Sequence, residues 1–361
     1  SALRAQDWER AERWLSAASD KERDQLMWQY WRARTDQWLE SYYATHQLTT
    51  AATPLPVPDK YSVMGNHWRF MQALANPYRL RETFPARVKA LIEDSAPPAT
   101  AFELLAQNRS FYGFLASTRI GKPLAITSTH YTLEGEMRQI VRKSVALNRV
   151  LEFQALGQDD DARRELFHIV KYVPEKEKIA AALIAQQAGW YLHAILLSQQ
   201  SGAQDDLNIR YPVLYTNTIT QRASEAGITP DWAYAIIRQE SAFWQEAKSS
   251  VGALGYMQLM PATAREVAKS IGLRLSTANE IMQPDTNIRL GTTYLGQLQR
   301  QLDGNSVLAT AAYNAVAGRA RKWQPRDTPM PGDIWVETIP FTETRDYVKN
   351  VMTFQAIYKH S

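Results

Sequence analysis

The sequence contains no cysteine among its 361 residues. This absence excludes disulfide bonds, thiolate metal sites and a cysteine nucleophile, and it leaves the cellular compartment open. Histidine is scarce as well, and the six histidines are scattered, without a pair at the spacing that puts two metal ligands on one helix face. We therefore expect ordinary surface or core histidines, no metal site and no cofactor.

The sequence also lacks a long hydrophobic run and a tract of one charge. The longest apolar stretch, residues 179–197, is interrupted by polar residues and by Gly189, so it predicts two short helices that meet at Gly189 and no membrane span. Lys and Arg outnumber Asp and Glu by 41 to 37, an evenly spread net charge of +4. This balance argues against nucleic-acid binding and is compatible with an anionic polymer as substrate. No signal peptide is visible, and the chain opens at Ser1 without a methionine, which suggests a processed or truncated product.

Amphipathic stretches joined by short polar turns make up the first half of the chain, which predicts helices throughout. No convincing strand lies between them, so the pattern favours paired helices stacked as a solenoid. Helices are expected at residues 7–19 and 21–40, and loops at 53–58 and 94–100. Five tryptophans near the start of the chain suit packing between helices better than a sugar-stacking surface: they are Trp8, Trp14, Trp28, Trp31 and Trp38.

Further helices are expected in the rest of the chain. Before the last domain they cover residues 110–120, 134–156 and 159–171 and the pair about Gly189, with an irregular stretch at 125–132 and a hinge at 202–207. Thr229, Pro230 and Asp231 make a strong helix start, because they offer an N-cap, a proline in the first turn and an acid at the positive helix end. Beyond a second start at Pro261, helices are expected at 287–301, 305–313 and 344–358.

One carboxylate lies on an apolar helix face. Ala233, Ile236, Ile237 and Glu240 follow at i, i+3, i+4 and i+7, so they share one face. Burying an unpaired charge is costly, and such a carboxyl group escapes the cost by protonating, so we expect a raised pKa for Glu240. A general acid for glycoside cleavage needs this property. On spacing alone, an exposed helix end without a function is the more common case.

Four sequence blocks favour a catalytic role for Glu240 over an exposed helix end without a function. Together and in this order they resemble the SLT domain of soluble lytic transglycosylases, specifically the large periplasmic type of Gram-negative bacteria. Each block is short, but four in order form a specific signal. The first block is Glu240-Ser241-Ala242-Phe243 followed by residues 249–261, which include Gly255-Tyr256-Met257-Gln258. The others are Pro284-Asp285-Thr286-Asn287-Ile288, then Ala311-Ala312-Tyr313-Asn314-Ala315, and last residues 337–350, which include Glu343-Thr344-Arg345-Asp346-Tyr347-Val348-Lys349-Asn350.

The resemblance implies an all-α architecture in three parts. Residues 1–130 would be the C-terminal part of a superhelical U-domain that forms a ring, residues 131–205 a helical linker domain, and residues 206–361 a lysozyme-like catalytic domain. It also implies a periplasmic enzyme without a cofactor, with peptidoglycan glycan strands as substrate. Cell-wall synthesis proteins are possible partners of the solenoid.

In the resemblance, Glu240 matches the catalytic acid. It would protonate the oxygen between N-acetylmuramic acid and N-acetylglucosamine, while the substrate's own acetamido group stabilises the anomeric carbon. As a base it would then take a proton from the muramoyl 6-hydroxyl, which closes a 1,6-anhydro ring. Matching positions imply a substrate-binding set, although each residue taken alone also suits a turn, a helix start or core packing: Ser249, Gln258, Met260, Tyr313, Asn314, Glu343 and Tyr347.

The sequence departs from the family pattern at several positions. Tyr256 stands where leucine is usual, Trp244 and Gln245 replace Asn-Pro, Gln283 replaces Asp before Pro284, and Val316 begins the segment that replaces Gly-Pro-Gly. None of these changes removes a group that the reaction needs, but each alters the expected sugar subsites.

Two other functions remain open. A goose-type lysozyme would hydrolyse the same bond with water and would need a second carboxylate, for which Glu246 and Glu343 are the candidates. A non-catalytic scaffold would bind peptidoglycan or partner proteins, but the intact Glu240, Ser249, Gln258 and Tyr313 argue against it.

Overall fold

The computed structural model describes residues 98–324 and 331–360, together with residues 26, 27, 29–31, 33, 34 and 37. Within these residues the fold is helical, and extended pairing is confined to two isolated bridges, Lys248 with Leu254 and Leu254 with Leu259. The prediction of an all-α fold is confirmed. Several expectations lie outside the described residues, namely the helix at 7–19, most of the helix at 21–40, the loop at 53–58, and Trp8, Trp14, Trp28 and Trp38.

Seventeen helices lie wholly within the described residues and are numbered from the first of them. The first eight are α1 (Pro98–Leu105), α2 (Phe111–Arg119), α3 (Gly135–Lys143), α4 (Val145–Ala155), α5 (Asp159–Ile169), α6 (Glu175–Gln187), α7 (Tyr191–Gln199) and α8 (Leu207–Arg210). The others are α9 (Thr216–Ala226), α10 (Pro230–Glu240), α11 (Pro261–Ser270), α12 (Ala278–Ile281), α13 (Pro284–Gln301), α14 (Ser306–Ala315), α15 (Ala317–Trp323), α16 (Gly332–Thr338) and α17 (Thr342–Tyr358). None of the described helices is long and apolar enough to cross a membrane.

Local sequence signals account for many helix ends. Ser110 caps α2 by accepting a hydrogen bond from the Gly113 N–H, and Asn305 caps α14 by accepting from the Leu308 N–H. Gly189 has a φ of +77° between α6 and α7, so the predicted break of the apolar stretch is confirmed. Pro230 begins α10 and Pro261 begins α11, as expected for proline in a first turn.

Two expectations about local structure were wrong, and one was confirmed only in part. The segment 134–156 is two helices, because Ser144 leaves the helical conformation (ψ of 108°) and its hydroxyl oxygen accepts from the Leu147 N–H to start α4. Thr229 is the N-cap residue of α10, but its side chain makes no capping hydrogen bond. The predicted loop at 94–100 gives way to α1 at its end, because Pro98 is tolerated in a first turn.

The chain divides into two compact units. The first comprises Ser1–Ala125 and Lys322–Lys349, as far as these are described, and the second comprises Ile126–Arg321 and Asn350–Ser361. The three-domain division at 130 and 205 stays a prediction. In the first unit Trp31 is 2% exposed and packs with Tyr30, Phe102 and Ile334, so at Trp31 the core-packing interpretation is confirmed.

Two buried carboxylates of α16 hold residues 322–349 within the first unit. Asp333 accepts hydrogen bonds from the Tyr30 hydroxyl (2.8 Å) and the Arg119 guanidinium (2.5 Å). One helical turn later, Glu337 accepts from the Tyr112 hydroxyl (2.7 Å) and the Lys349 ammonium (2.6 Å). Because both carboxylates are paired, α16 can present two charges to an apolar surface.

Two buried apolar clusters among the described residues of the second unit bear on the candidate site. One is built mainly from α4 to α8 and includes Leu147, Leu166, Leu183 and Leu197. The other packs α11, α12 and α13 against a loop that follows α10, and it includes Leu254, Leu259 and Leu290. This second cluster supports the segment that carries most of the predicted site.

Candidate active site

Glu240 is the last residue of α10, and the helix is fixed by its buried face. Ala233, Ile236 and Ile237 are fully buried, as their spacing predicted, whereas Glu240 is partly buried. The indole N–H of Trp232 donates to the Thr310 hydroxyl (3.0 Å), which joins α10 to α14. A carboxyl group at the end of a rigid helix is therefore held at the border between core and solvent.

Arg238 anchors the same end of α10. Its guanidinium Nε donates to the Arg210 carbonyl (2.7 Å), and the group lies over the rings of Tyr211 (5.5 Å) and Phe354 (5.0 Å). Burial lowers the pKa of Arg238 from its usual value. Cation–π contacts and a carbonyl acceptor compensate part of that burial, so the last turn of α10 is pinned on the side away from solvent.

The loop that follows Glu240 turns sharply. Ala242 and Phe243 have φ values of +48° and +63°, and Gln258 has a φ of +46°, the left-handed region that non-glycine residues seldom adopt. Phe243 is only 3% exposed and lies near Tyr234 and Tyr256. Backbone strain of this kind persists where packing enforces it and clusters at functional sites.

Asn287 of α13 holds the middle of the loop. Its side chain is fully buried, its oxygen accepts from the Met257 N–H (2.7 Å), and its amide donates to the carbonyls of Leu254 (3.0 Å) and Ile281 (2.9 Å). Gly255 must be glycine here, because its φ is +73° and a Cβ would lie 2.5 Å from the Asn287 amide nitrogen. The loop conformation is thus set by a residue 30 positions away.

Tyr313 of α14 holds the next atoms of that loop. Its hydroxyl donates to the Met257 carbonyl (2.8 Å), so the Met257 peptide is bound at its N–H by Asn287 and at its carbonyl by Tyr313. Burial, and next the negative charge of Glu240, raise the pKa of Tyr313 well above its usual value. The electrostatic coupling to Glu240 brings Tyr313 into the candidate site as a permanently neutral hydroxyl.

A cavity of about 330 Å³ opens beside Glu240. Its walls come from α7, from the last turn of α10 and from the loop after it. The lining residues are Leu192, Ile195, Leu196, Gln199, Arg238, Gln239, Glu240, Ser241, Ala242, Trp244, Ala247, Lys248 and Gln258. Among these described lining residues Glu240 is the one carboxylate, so a group bound here meets a single acid.

The other predicted residues of the loop between α10 and α11 differ in what they contact. Ser249 accepts a hydrogen bond from the Ala253 N–H (2.9 Å), so it makes the turn that its position alone suggested. Gln258 lines the cavity, and its amide donates to the carbonyls of Ala247 (3.1 Å) and Gly255 (2.9 Å). Met260 lies directly before α11 and is 41% exposed.

The remaining predicted residues lie further along the chain. Asn314 is partly buried in the last turn of α14, in the second unit with Glu240. Glu343 is exposed in the first turn of α17, and Tyr347 is 5% exposed one turn later. Both belong to the first unit, so a shared site of Glu343 and Tyr347 with Glu240 stays a prediction.

Three features of the site were not assigned a role from the sequence. Asn287 was visible only as part of a motif, and no local signal marked it as a buried hydrogen-bonding residue. Trp244 was visible only as a departure from the pattern. The apolar wall of α7, with Leu192 and Leu196 at i and i+4, looked like part of a buried helix pair.

This arrangement defines a class of protein: an all-α, lysozyme-like domain with a glutamate at the end of a buried helix and beside a cavity. Three family models match the chain, namely "Soluble lytic murein transglycosylase L domain" at residues 140–207, "Transglycosylase SLT domain" at 217–334 and "Soluble lytic transglycosylase helical domain" at 338–361. The chain therefore belongs to the soluble lytic transglycosylase family.

Individual relatives agree with this assignment. The soluble lytic murein transglycosylase of Salmonella typhimurium is 34% identical over 71% of this chain and 40% of its own length. An inactive glutamate-to-glutamine mutant of the lytic transglycosylase Slt from Pseudomonas aeruginosa matches with 35% identity and a TM-score of 0.71, over 99% of this chain and 55% of that one. The 70 kDa soluble lytic transglycosylase of Escherichia coli matches with 27% identity and a TM-score of 0.73, over 99% of this chain and 50% of that one. The chain thus spans about half the length of these relatives.

Proposed function

We propose that this chain is a lytic transglycosylase that cleaves peptidoglycan glycan strands in the periplasm. The bond cleaved is the β-1,4 bond from N-acetylmuramic acid to N-acetylglucosamine, and the product carries a 1,6-anhydromuramoyl end. The observation that carries the proposal is the cavity beside Glu240, which holds one carboxylate among its described lining residues. A reaction that needs one acid, used twice, fits such a site.

In the first step Glu240 donates its proton to the glycosidic oxygen as the bond from that oxygen to C1 of N-acetylmuramic acid breaks. The acetamido carbonyl oxygen of the same sugar bonds to C1 and takes the place of a second carboxylate. In the next step the Glu240 carboxylate removes the proton of the 6-hydroxyl, whose oxygen bonds to C1 and displaces the acetamido oxygen. No water is consumed, and Glu240 ends protonated as it began.

The neighbouring residues supply hydrogen bonds to these groups. The Ser249 oxygen already accepts from the Ala253 N–H, which leaves its own proton for the acetamido carbonyl. Gln258 uses its amide hydrogens on two backbone carbonyls, so its oxygen is available to a sugar hydroxyl or to protonated Glu240. Tyr313 keeps the loop in place and remains neutral beside Glu240 while that group changes its charge. Asn314 and Met260 would extend the binding surface for the strand, and the roles of Glu343 and Tyr347 stay predictions from the resemblance.

A water-using lysozyme mechanism is the main alternative. It would need a second carboxylate on the opposite face of the sugar. Glu246 is exposed on the loop, and it is not among the described residues that line the cavity, so the lining favours the anhydro-forming reaction. The inactive glutamate-to-glutamine mutant of the Pseudomonas aeruginosa relative supports an essential glutamate, which both mechanisms require.

The test is to digest purified peptidoglycan with the wild-type chain, Glu240→Gln and Glu246→Gln, and to weigh the released muropeptides by mass spectrometry. We expect products one water lighter than the hydrolytic ones from the wild type and from Glu246→Gln, and none from Glu240→Gln. Hydrated reducing ends that disappear with Glu246→Gln would establish the lysozyme reaction instead. A wild type that binds peptidoglycan without releasing products would point to a scaffold.

A further inference from the structure

Trp244 is an exposed indole in the wall of the cavity beside Glu240. It is 46% exposed, whereas Trp31, Trp190, Trp232 and Trp335 are all less than 10% exposed. Burial of an indole is favourable, so a ligand that covers Trp244 inside this cavity would be stabilised by that contact.

The backbone around Trp244 is built to hold it in place. The two preceding residues, Ala242 and Phe243, adopt left-handed conformations, and Phe243 is buried while Trp244 is exposed. The Trp244 N–H donates to the Ser241 carbonyl (3.0 Å), and the Trp244 carbonyl accepts from the Ala247 N–H (3.1 Å). The residue therefore sits in a tight, hydrogen-bonded turn, and a ligand that stacks on it orders little additional backbone.

The rest of the lining has the composition of a sugar site. Three amide side chains, those of Gln199, Gln239 and Gln258, share the cavity with the indole. Leu192 and Leu196 of α7 supply an apolar wall, which suits the methyl group of an acetamido substituent. A volume of about 330 Å³ is at the small end of ligand cavities, so one sugar unit fits better than an extended strand.

We propose that Trp244 and the Leu192–Leu196 wall of α7 form a subsite for one N-acetylated hexosamine unit of the glycan, with the pyranose face stacked on the indole. This inference deepens the proposed transglycosylase function and rests on it for the identity of the polymer. The subsite adds binding energy to the strand and takes no part in the proton transfers at Glu240.

The first test is binding without turnover. Glu240→Gln as parent and Glu240→Gln with Trp244→Ala are titrated calorimetrically with a peptide-free N-acetylglucosamine oligomer. Loss of the aromatic contact is expected to weaken binding about tenfold, with a smaller effect for Trp244→Phe. Tyr172→Ala is the matched control, because Tyr172 is an aromatic residue that is 75% exposed and does not line the cavity; it should leave the affinity unchanged.

The second test uses the active chain on peptidoglycan. The stacking contact stabilises the bound substrate and the transition state equally. Trp244→Ala should therefore raise KM about tenfold and leave kcat within about twofold of wild type. Unchanged thermal unfolding of the variant would show that the fold is intact.

The inference is overturned if Trp244→Ala binds the oligomer as tightly as its parent, or if the parent does not bind the oligomer at all. Weaker binding of peptidoglycan alone would equally overturn it and would assign the indole to the stem peptide. These results are separate from a failure of the proposed function, which would appear as an absence of anhydro products from wild type.

Discussion

Replacing Asn287 by alanine removes the side chain that fixes the loop beside Glu240. Three hydrogen bonds are lost, one from the Met257 N–H and two to the carbonyls of Leu254 and Ile281. The Leu254 carbonyl also accepts from the Leu259 N–H, so it keeps a partner. The Met257 N–H is fully buried and loses its acceptor, which makes it the most costly of the three groups.

The expected loss of stability follows from these groups. A buried donor without an acceptor costs about 1–3 kcal/mol, and the small cavity left by the amide adds to this. We expect Asn287→Ala to lower the free energy of unfolding by about 3 kcal/mol, a large part of the roughly 5–15 kcal/mol of a typical domain. Since the loop carries Gln258 and meets Tyr313, kcat should fall about 10- to 100-fold.

Urea unfolding followed by circular dichroism measures the stability, and hydrogen exchange of a peptide covering residues 250–260 reports local opening of the loop. Asn305→Ala is the control, because Asn305 makes one part-buried capping bond, accepting from the Leu308 N–H (2.9 Å), worth about 1 kcal/mol. If Asn287→Ala costs no more than this control and exchange in the loop is unchanged, the reasoning about Asn287 is refuted.

The substitution Asn287→Asp tests the acceptor oxygen of this side chain separately from its donor amide group. The aspartate keeps an oxygen for the Met257 N–H but turns a second oxygen toward two carbonyls. Protonation restores one donor, so the site raises the folded-state pKa of this aspartate above its unfolded value of about 3.9. Its stability is therefore greatest below that value and falls as the pH rises, and we expect a larger destabilisation at pH 7 than at pH 4.

Two further predictions concern other parts of the chain. Val316 has a φ of +73° and is 63% exposed. Val316→Gly should relieve about 1–3 kcal/mol of backbone strain and cost about 0.5–1 kcal/mol of glycine entropy, so urea unfolding should show a net stabilisation near 1 kcal/mol. Val213→Gly is the control and should destabilise the protein, because Val213 is exposed and has no positive φ. Burial works to raise the pKa of Asp333, but the Tyr30 hydrogen bond and the Arg119 charge outweigh it and hold that pKa below its usual value. The stabilisation by ionised Asp333 is therefore present above about pH 4 and is lost as the pH falls further. In acid-unfolding titrations, Asp333→Asn should lower the free energy of unfolding by about 2–4 kcal/mol at pH 7 and by progressively less below about pH 4. A difference that does not depend on pH would contradict the pairing.

Much of the fold could be predicted from local signals because helix ends depend on a few neighbouring residues. Pro230 and Pro261 start helices, and Ser110 caps one, each with its partner within a turn. Where the predicted helix boundary was wrong, a contact with a distant residue accompanies the change in local structure. Ser144 divides the segment 134–156 into two helices, and its hydroxyl donates to Glu177, which lies on another helix.

For the candidate site, the sequence by itself determined which chemistry we propose: the order of the four blocks pointed to Glu240 and to the residue types around it, because a mechanism constrains side chains and their spacing. Tertiary structure decided which of these residues meet. The Asn287 bond to Met257, the joining of α16 to residues near Tyr30, and the position of Trp244 on the same cavity as Leu192 all depend on contacts between distant segments. Such contacts depend on how whole helices pack, and packing depends on the summed burial of many side chains, so no local pattern of the sequence encodes them.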